Sequence, residues 1–372
     1  MVWPGSPGTV ARFHGLCAGS RIAVGTERGP NLKRVVWTGT GRLEVSNDGD
    51  TRGAGCEGNE VRIRVTAAGF CATDVHIIRG QVRFVDPPLV LGHEIAGVVE
   101  ECGEAVSRLS PGDRVKCDSV IGCGICGWCA QGATQFCKQA VELGITCDGG
   151  WAEWLVVPER ALYRLPDALP DEVAAILDVE VYGALSKPGV CPGDTVVIFG
   201  PGPAGLIALQ LARIMGATTV ILCGTRKVRL QLGQRLGADY IVNVTERDPI
   251  ALVRQVTGGK GADLAFEAAG SEAACLEVLQ VLRPQGKAVF YGVHGRPLSR
   301  FPIDQVVLKD LNLYGALSNR TGWNEIFSWV LQGKLDLQSL ITRTLPLDQA
   351  SLAYELLNDP REEEVKIVFS MG

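Results

Sequence analysis

The feature that most constrains this chain is a repeated rhythm in its second half. Apolar runs at Thr195–Phe199, Thr218–Leu222, Tyr240–Asn243, Ala262–Phe266, Lys287–Tyr291 and Asn312–Ala316 recur, with helical stretches between most of them. Strands alternating with helices pack as a parallel sheet covered on both faces, so this half is predicted to be a doubly wound α/β domain. The first run leads into Gly200-Pro201-Gly202-Pro203-Ala204-Gly205 and then a predicted helix, Leu206–Met215. Gly-x-Gly-x-x-Gly says little in isolation, but between a strand and a helix it marks a nucleotide site. The glycines allow a tight turn and the close approach of a pyrophosphate to the helix N-terminus, where free N–H groups and the dipole favour anions. Gly200, Gly202, Pro203, Ala204 and Gly205 are therefore candidate cofactor-binding residues, the alternative being a purely structural turn.

The next strand ends Val220-Ile221-Leu222-Cys223-Gly224-Thr225-Arg226. A site for NAD carries Asp or Glu about twenty residues past the glycines, where it accepts hydrogen bonds from the ribose 2′-OH. Gly224 stands there instead. Without a carboxylate nothing repels a 2′-phosphate, and Thr225 and Arg226 offer a hydroxyl and a guanidinium suited to bind one. The expected cofactor is NADP, with NAD the alternative if Arg226 is only a solvated charge at a helix start.

At 372 residues the chain is long for one hydrophobic core and suits two domains. Its 46% apolar and 21% charged content indicates a compact protein rather than a disordered one. Lys and Arg number 36 against 41 Asp and Glu, without long blocks of one sign, which argues against nucleic acid or an anionic membrane as partner. No apolar run reaches the roughly eighteen residues of a membrane-spanning helix. The first thirty residues carry Arg12, Arg21 and Arg28 but no continuous apolar segment of a secretory signal, so a cytoplasmic location is expected. Thirteen cysteines, an odd number, do not suit a closed disulfide framework.

Residues 1–32 are rich in Gly, Pro and Arg without sustained period and read as a loose extension. Regular structure is expected from Lys33, and Glu60–Val65 alternates polar and apolar as a half-buried strand does. Short strands then make residues 33 to about 160 a β-rich domain. Within it, Gly69-Phe70-Cys71-Ala72-Thr73-Asp74-Val75-His76 and Gly92-His93-Glu94 bring a thiol, a hydroxyl, an imidazole and a carboxylate that can hold a metal and move a proton. Each half alone also reads as a buried Cys or a turn. Cys123, Cys126, Cys129 and Cys137 form Cys-x2-Cys-x2-Cys-x7-Cys. Four thiolates at such spacing close a tetrahedron about zinc with no open position, a structural metal. An iron–sulfur run would place its fourth Cys three residues after the third with Pro behind it, whereas here Lys138 follows Cys137. A lobe that has lost its metal and a redox-active thiol group are the alternatives.

Together with Gly112-Asp113-Arg114-Val115 and Gly149-Gly150-Trp151-Ala152-Glu153, these motifs resemble the zinc-dependent medium-chain dehydrogenases, the alcohol, polyol and threonine dehydrogenase superfamily, from about Lys33 to the C-terminus. The resemblance implies a GroES-like catalytic domain over residues 33–182, a Rossmann domain over 183–318, and a return of 319–372 to the catalytic domain. It implies a homodimer or homotetramer, one catalytic and one structural zinc, and a small-molecule alcohol or ketone as partner. It implies Cys71 and His93 as catalytic-zinc ligands, Glu94 as the carboxylate that binds or swings towards the metal, Thr73 as the hydroxyl that takes the alcohol proton, and His76 as the far end of a relay to solvent. The third protein ligand is expected within Ala174–Leu185, a stretch about three residues shorter than the family pattern and without Cys; Asp178 is the first choice and Glu180 the second, capping of a helix being the alternative for both. Lys366 resembles a C-terminal basic residue near the cofactor phosphates, or is a solvated strand charge. The implied activity is hydride transfer between NAD(P) and a secondary alcohol or polyol. A zinc- and nucleotide-binding scaffold with a defective catalytic metal site is the alternative from another class.

Overall fold

The computed structural model describes residues 16–17, 20–21, 27–50, 55–295, 297–298, 300–318, 321–359 and 364–371. The chain divides into two compact units, residues 1–177 with 341–372, and residues 178–340.

The second unit is built on six parallel strands in the spatial order Tyr240–Asn243, Thr219–Gly224, Thr195–Phe199, Ala262–Glu267, Leu282–Phe290, Asn312–Gly315. Helices cover both faces, so a central strand is apolar on both sides: Val196, Val197 and Ile198 are all fully buried. The winding reverses at Thr195–Phe199, whose two neighbours lead away in opposite directions, and ligands of such sheets bind outside the strand carboxyl ends at that point. The glycine loop sits there. The helix after it runs Pro203–Ile214, starting earlier than its apolar pattern suggested, because Pro at the first helical position forfeits no intrahelical hydrogen bond.

In the first unit, Glu60–Phe70 is the hub. It pairs antiparallel with Glu94–Cys102, Trp154–Pro158 and the C-terminal strand Lys366–Ser370. The register sets Gly69 opposite Glu94 on one side and opposite Val368 on the other. Three stretches distant in sequence thus end side by side at Cys71, His93 and Lys366. Trp151, fully buried, packs edge-on against Phe70 at 4.7 Å and Phe369 at 5.3 Å, and its indole N–H donates to the Gly69 carbonyl at 3.3 Å. That bond fixes the end of the hub strand where the loop departs.

Three boundaries differ from expectation. A strand spans Glu27–Gly39, and Leu16–Cys17 pairs with Ser20–Arg21, so part of the expected loose extension carries regular structure; the rest of it, Arg12 included, lies outside the described residues. The second unit begins at Asp178 rather than after residue 182, and the chain returns to the first at Ile341 rather than near residue 319. The later return has a packing cause. Helix Trp323–Leu331 belongs to the second unit through Trp329, which meets Tyr182 edge-on at 5.2 Å, while the buried Gln210 amide donates to the Asp336 carbonyl and accepts from its N–H. Among the described residues no helix is long and apolar enough to cross a membrane.

Candidate metal and cofactor sites

Helix Ala72–Ile78 begins directly at the end of the hub strand with Cys71 as its N-cap residue. Asp74 Oδ2 accepts the Cys71 N–H at 2.8 Å, closing the first turn by a capping-box contact. Asp74 is fully buried, and its Oδ1 lies 3.4 Å from His93 Nδ1. One carboxylate therefore anchors the backbone of Cys71 and faces His93 Nδ1, an arrangement that in metal sites presents Nε2 to the ion. The sequence reading missed Asp74. Its signal was an acid three residues after a helix N-cap.

One ligand atom each from Cys71, His93 and Glu94 lies within 4.8 Å of the others. Glu94 reaches the group by folding over the hub strand, where a Cβ on Gly69 would overlap its Oε2, so that position must be glycine. Lys366, buried, donates to both Glu94 oxygens at 2.6 and 2.8 Å and lies 3.5 Å from the Phe70 carbonyl. It is no solvated strand charge. Burial opposes ionisation of Glu94, but Lys366 and then His93 outweigh it and hold its pKa below the usual carboxylate value. Burial likewise opposes the imidazolium of His93, while Asp74 and Cys71 outweigh burial and raise its pKa well above the usual value. A thiolate, an imidazole and a carboxylate on one spot suit zinc with a position left open for substrate.

Thr73 Oγ1 lies 3.8 Å from Cys71 Sγ. His76, one helical turn on, is exposed, and its Nδ1 lies 2.6 Å from Gln81 Oε1. Residues three apart on a helix are neighbours, so the two share a face. Asp178 opens the second unit, where its Oδ1 accepts the Glu180 N–H at 2.7 Å and its Oδ2 lies 3.5 Å from the Tyr291 hydroxyl. Glu180 begins helix Glu180–Ser186.

The four cysteines of the lobe converge, their sulfurs all within 4.8 Å of one another. Zinc–sulfur bonds of about 2.3 Å in a tetrahedron set sulfurs about 3.8 Å apart; Cys123 and Cys129 are 3.9 Å apart, Cys126 and Cys129 3.6 Å. The donor set fits a closed zinc site. Backbone N–H groups, first that of Ile125, pull the Cys123 thiol down to about 6, so it presents a thiolate, whereas burial pushes Cys129 up to about 12. The twelve cysteines with described side chains are all free thiols. Cys126→Ala is expected to leave three donors, to lower zinc content by one equivalent per chain, and to lower the melting temperature, because structural zinc contributes folding free energy directly. Elemental analysis with a thermal melt checks it.

At the glycine loop, Gly200 has φ +104°, the left-handed region that glycine tolerates. Gly202 is different. Beyond its own chain neighbours, no atom of the described residues lies within 4 Å of where its Cβ would be, so the fold leaves space there that a pyrophosphate can enter. At Gly224 a Cβ would overlap the Pro201 ring, so the acidic residue of an NAD site has no room beside this proline. Arg226 is the N-cap residue of helix Lys227–Arg235. Arg229 stands three positions on, and burial, with Arg226 beside it, brings its pKa down to about 10. Its neighbourhood with Arg226 was a second basic signal that the sequence reading did not use.

Comparison with known proteins agrees with this architecture. Residues 57–167 match the alcohol dehydrogenase GroES-like domain and residues 203–332 the zinc-binding dehydrogenase family. An L-threonine 3-dehydrogenase of Anaeromyxobacter sp. (strain K) is 33% identical over 317 residues, covering 82% of this chain and 90% of its own. A sorbitol dehydrogenase of Halalkalibacterium halodurans is 30% identical, over 84% of this chain and 92% of its own. Among solved structures, the alcohol dehydrogenase TADH from Thermus sp. ATN1 superposes with a TM-score of 0.84 at 31% identity, covering 91% of this chain and 100% of its own. A zinc-binding dehydrogenase from Sinorhizobium meliloti 1021, bound to NADP, gives 0.83 at 29%, covering 92% and 100%. The class is that of the GroES-like and Rossmann oxidoreductases. This chain belongs to the zinc-dependent medium-chain dehydrogenase superfamily, among the alcohol, polyol and threonine dehydrogenases.

Proposed function

We propose that this chain is an NADP-linked dehydrogenase that interconverts a secondary alcohol or polyol with its ketone at a zinc held by Cys71, His93 and Glu94. The observation that carries the reading is the convergence of those three donors, set by the register of Gly69 opposite Glu94. Zinc bound there acts as a Lewis acid on the alcohol oxygen, and the dinucleotide supplies the hydride acceptor. Thr73 Oγ1 takes the alcohol proton and exposed His76 gives it to solvent, the pair working as a general-base relay. Asp74 faces His93, and Lys366 holds Glu94 ionised. The contacts of Asp178 to the Glu180 N–H and the Tyr291 hydroxyl favour its role at the helix start over that of a zinc ligand. The loop from Gly200 to Gly205 cradles the pyrophosphate, and Thr225 with Arg226 reads the 2′-phosphate. We place the enzyme in the cytoplasm as a homodimer or homotetramer.

A panel of polyols, amino alcohols and simple secondary alcohols, assayed with NADP and NAD on protein of known zinc content, tests the proposal. Two zinc equivalents and turnover of at least one secondary alcohol are expected, whereas one equivalent and no turnover would identify a scaffold. Thr73→Val is expected to lower kcat by about 10²-fold or more while zinc content and dinucleotide affinity stay unchanged, since positioned proton transfer contributes on that scale. A variant with normal kcat would remove Thr73 from the relay.

A further inference from the structure

One buried acid in the second unit has no part in the chemistry above. Glu267 ends the strand Ala262–Glu267 beside the glycine-loop strand and is fully buried. Its Oε1 accepts the N–H groups of Ala269 at 2.8 Å and Gly270 at 2.7 Å. Its backbone carbonyl accepts from Tyr291 at 2.9 Å and Gly292 at 3.0 Å, at the end of the adjacent strand. Its Oε2 lies against Gly292, where a Cβ would stand 2.7 Å away. His294 Nδ1 lies 3.1 Å from the Gly270 carbonyl, a second tie between the same two loops. The first loop in turn abuts the glycine loop. The Ala268 N–H donates to Phe199 at 2.8 Å, and a Cβ on Gly200 would come within 2.8 Å of the Ala268–Ala269 peptide.

Burying a carboxyl is costly unless its oxygens are hydrogen-bonded, and burial does raise the Glu267 pKa against the N–H groups of Gly270, Ala269 and Gly292. What the cost obtains is a fixed geometry for the loop at residues 268–271, which His294 joins at Gly270 to the loop at 291–295. Both lie at strand carboxyl ends, in the half of the doubly wound sheet away from Gly224 and Arg226. Such sheets consist of two mononucleotide-binding halves. If the Arg226 half takes the adenosine, the half ordered by Glu267 takes the nicotinamide mononucleotide.

We propose that Glu267 is a positioning residue for the nicotinamide half of the dinucleotide, its carboxyl holding the loop at residues 268–271 against Gly292 while its backbone carbonyl holds residues 291–292. The inference rests on the dinucleotide reading above and goes beyond it by dividing the cofactor between two sets of residues. Glu267→Ala removes the carboxyl's hold on Ala269 and Gly270 and leaves the backbone tie to residues 291–292. Glu267→Gln keeps an oxygen for Ala269 and Gly270 but places an NH₂ where Oε2 lies against Gly292, and serves should the alanine variant not fold.

The test compares binding of NADPH with binding of adenosine 2′,5′-bisphosphate, which carries only the adenosine half, by fluorescence titration and calorimetry on the zinc-loaded full chain. Loss of hydrogen bonds to a charged acceptor is expected to weaken NADPH about tenfold or more in Glu267→Ala, and less in Glu267→Gln. Adenosine 2′,5′-bisphosphate should bind both variants within about twofold of wild type, the accuracy to which distant sites behave independently. Equal weakening of both ligands marks a general folding defect and overturns the proposal, as does unchanged NADPH affinity in either folded variant. A wild-type chain that binds neither ligand and does not bind NADH either overturns the dinucleotide reading and this inference together.

Discussion

Cys71→Ala is expected to take zinc content from two equivalents per chain to one and to lower kcat/KM for the alcohol by about 10³-fold or more, since Lewis-acid stabilisation is worth several kcal/mol and each 1.36 kcal/mol is tenfold. The remaining equivalent should be the one in the cysteine lobe, so the melting temperature should fall less than in Cys126→Ala. Asp74→Asn separates holding the ligands from being one. The substitution keeps the volume but replaces the buried acceptor facing His93 Nδ1, and is expected to weaken the catalytic zinc about 10- to 100-fold, the usual effect of losing a carboxylate behind a metal-bound histidine. Asp178→Asn decides the disputed ligand in the same elemental analysis. If Asp178 caps helix Glu180–Ser186, zinc stays at two equivalents; a fall to one would restore it to the metal site. Loss of zinc without loss of turnover in Cys71→Ala would refute the proposed centre.

What the sequence displayed and what it hid follow from how each feature is encoded. Features encoded by short spacing were legible. The four lobe cysteines fall within fifteen residues of chain and their sulfurs lie together, and the strands Thr195–Phe199 and Tyr240–Asn243 lie where their apolar runs put them. The glycine loop was readable for the same reason, with its strand and helix adjoining it. Features encoded by register were not. Lys366 and Glu94 are 272 positions apart, and only the antiparallel pairing of the C-terminal strand onto Glu60–Phe70 makes them partners. A lone lysine in an apolar strand gives no sign of a buried carboxylate opposite. Asp74 hid differently. It sat inside the conspicuous Cys71–His76 stretch, yet as a short acid in the first turn of a helix it has an ordinary explanation in capping. The structure gives it both tasks, and only the second, against His93, requires the fold. The unit boundary at Ile341 was hidden because helix Trp323–Leu331 is anchored by Tyr182 and Gln210, long-range contacts that no local pattern announces.

The cofactor preference should be reversible, but not by the obvious single change. Wild type is expected to favour NADP over NAD by about 10-fold or more in kcat/KM, because charge-assisted hydrogen bonds to a phosphate are worth about 1.5–3 kcal/mol. Arg226→Ala should remove most of that margin by raising KM for NADP and leave NAD almost unchanged. Arg229→Ala should act in the same direction and more weakly, since its guanidinium is partly buried beside Arg226. Raising ionic strength should weaken NADP more than NAD, because the discriminating contact is between charges at the surface. Introducing the carboxylate of an NAD site by Gly224→Asp alone is expected to damage binding of both cofactors, since a Cβ there overlaps the Pro201 ring and displaces the glycine loop. Pro201→Ala with Gly224→Asp clears that overlap. The pair should bind NAD through the ribose hydroxyls and repel the 2′-phosphate, turning the preference over. Steady-state kinetics with both cofactors for the four variants measures this. A wild-type preference for NAD would remove the assignment of Thr225 and Arg226, and a Gly224→Asp single variant as good with NAD as the double would show that the Pro201 ring is no obstacle.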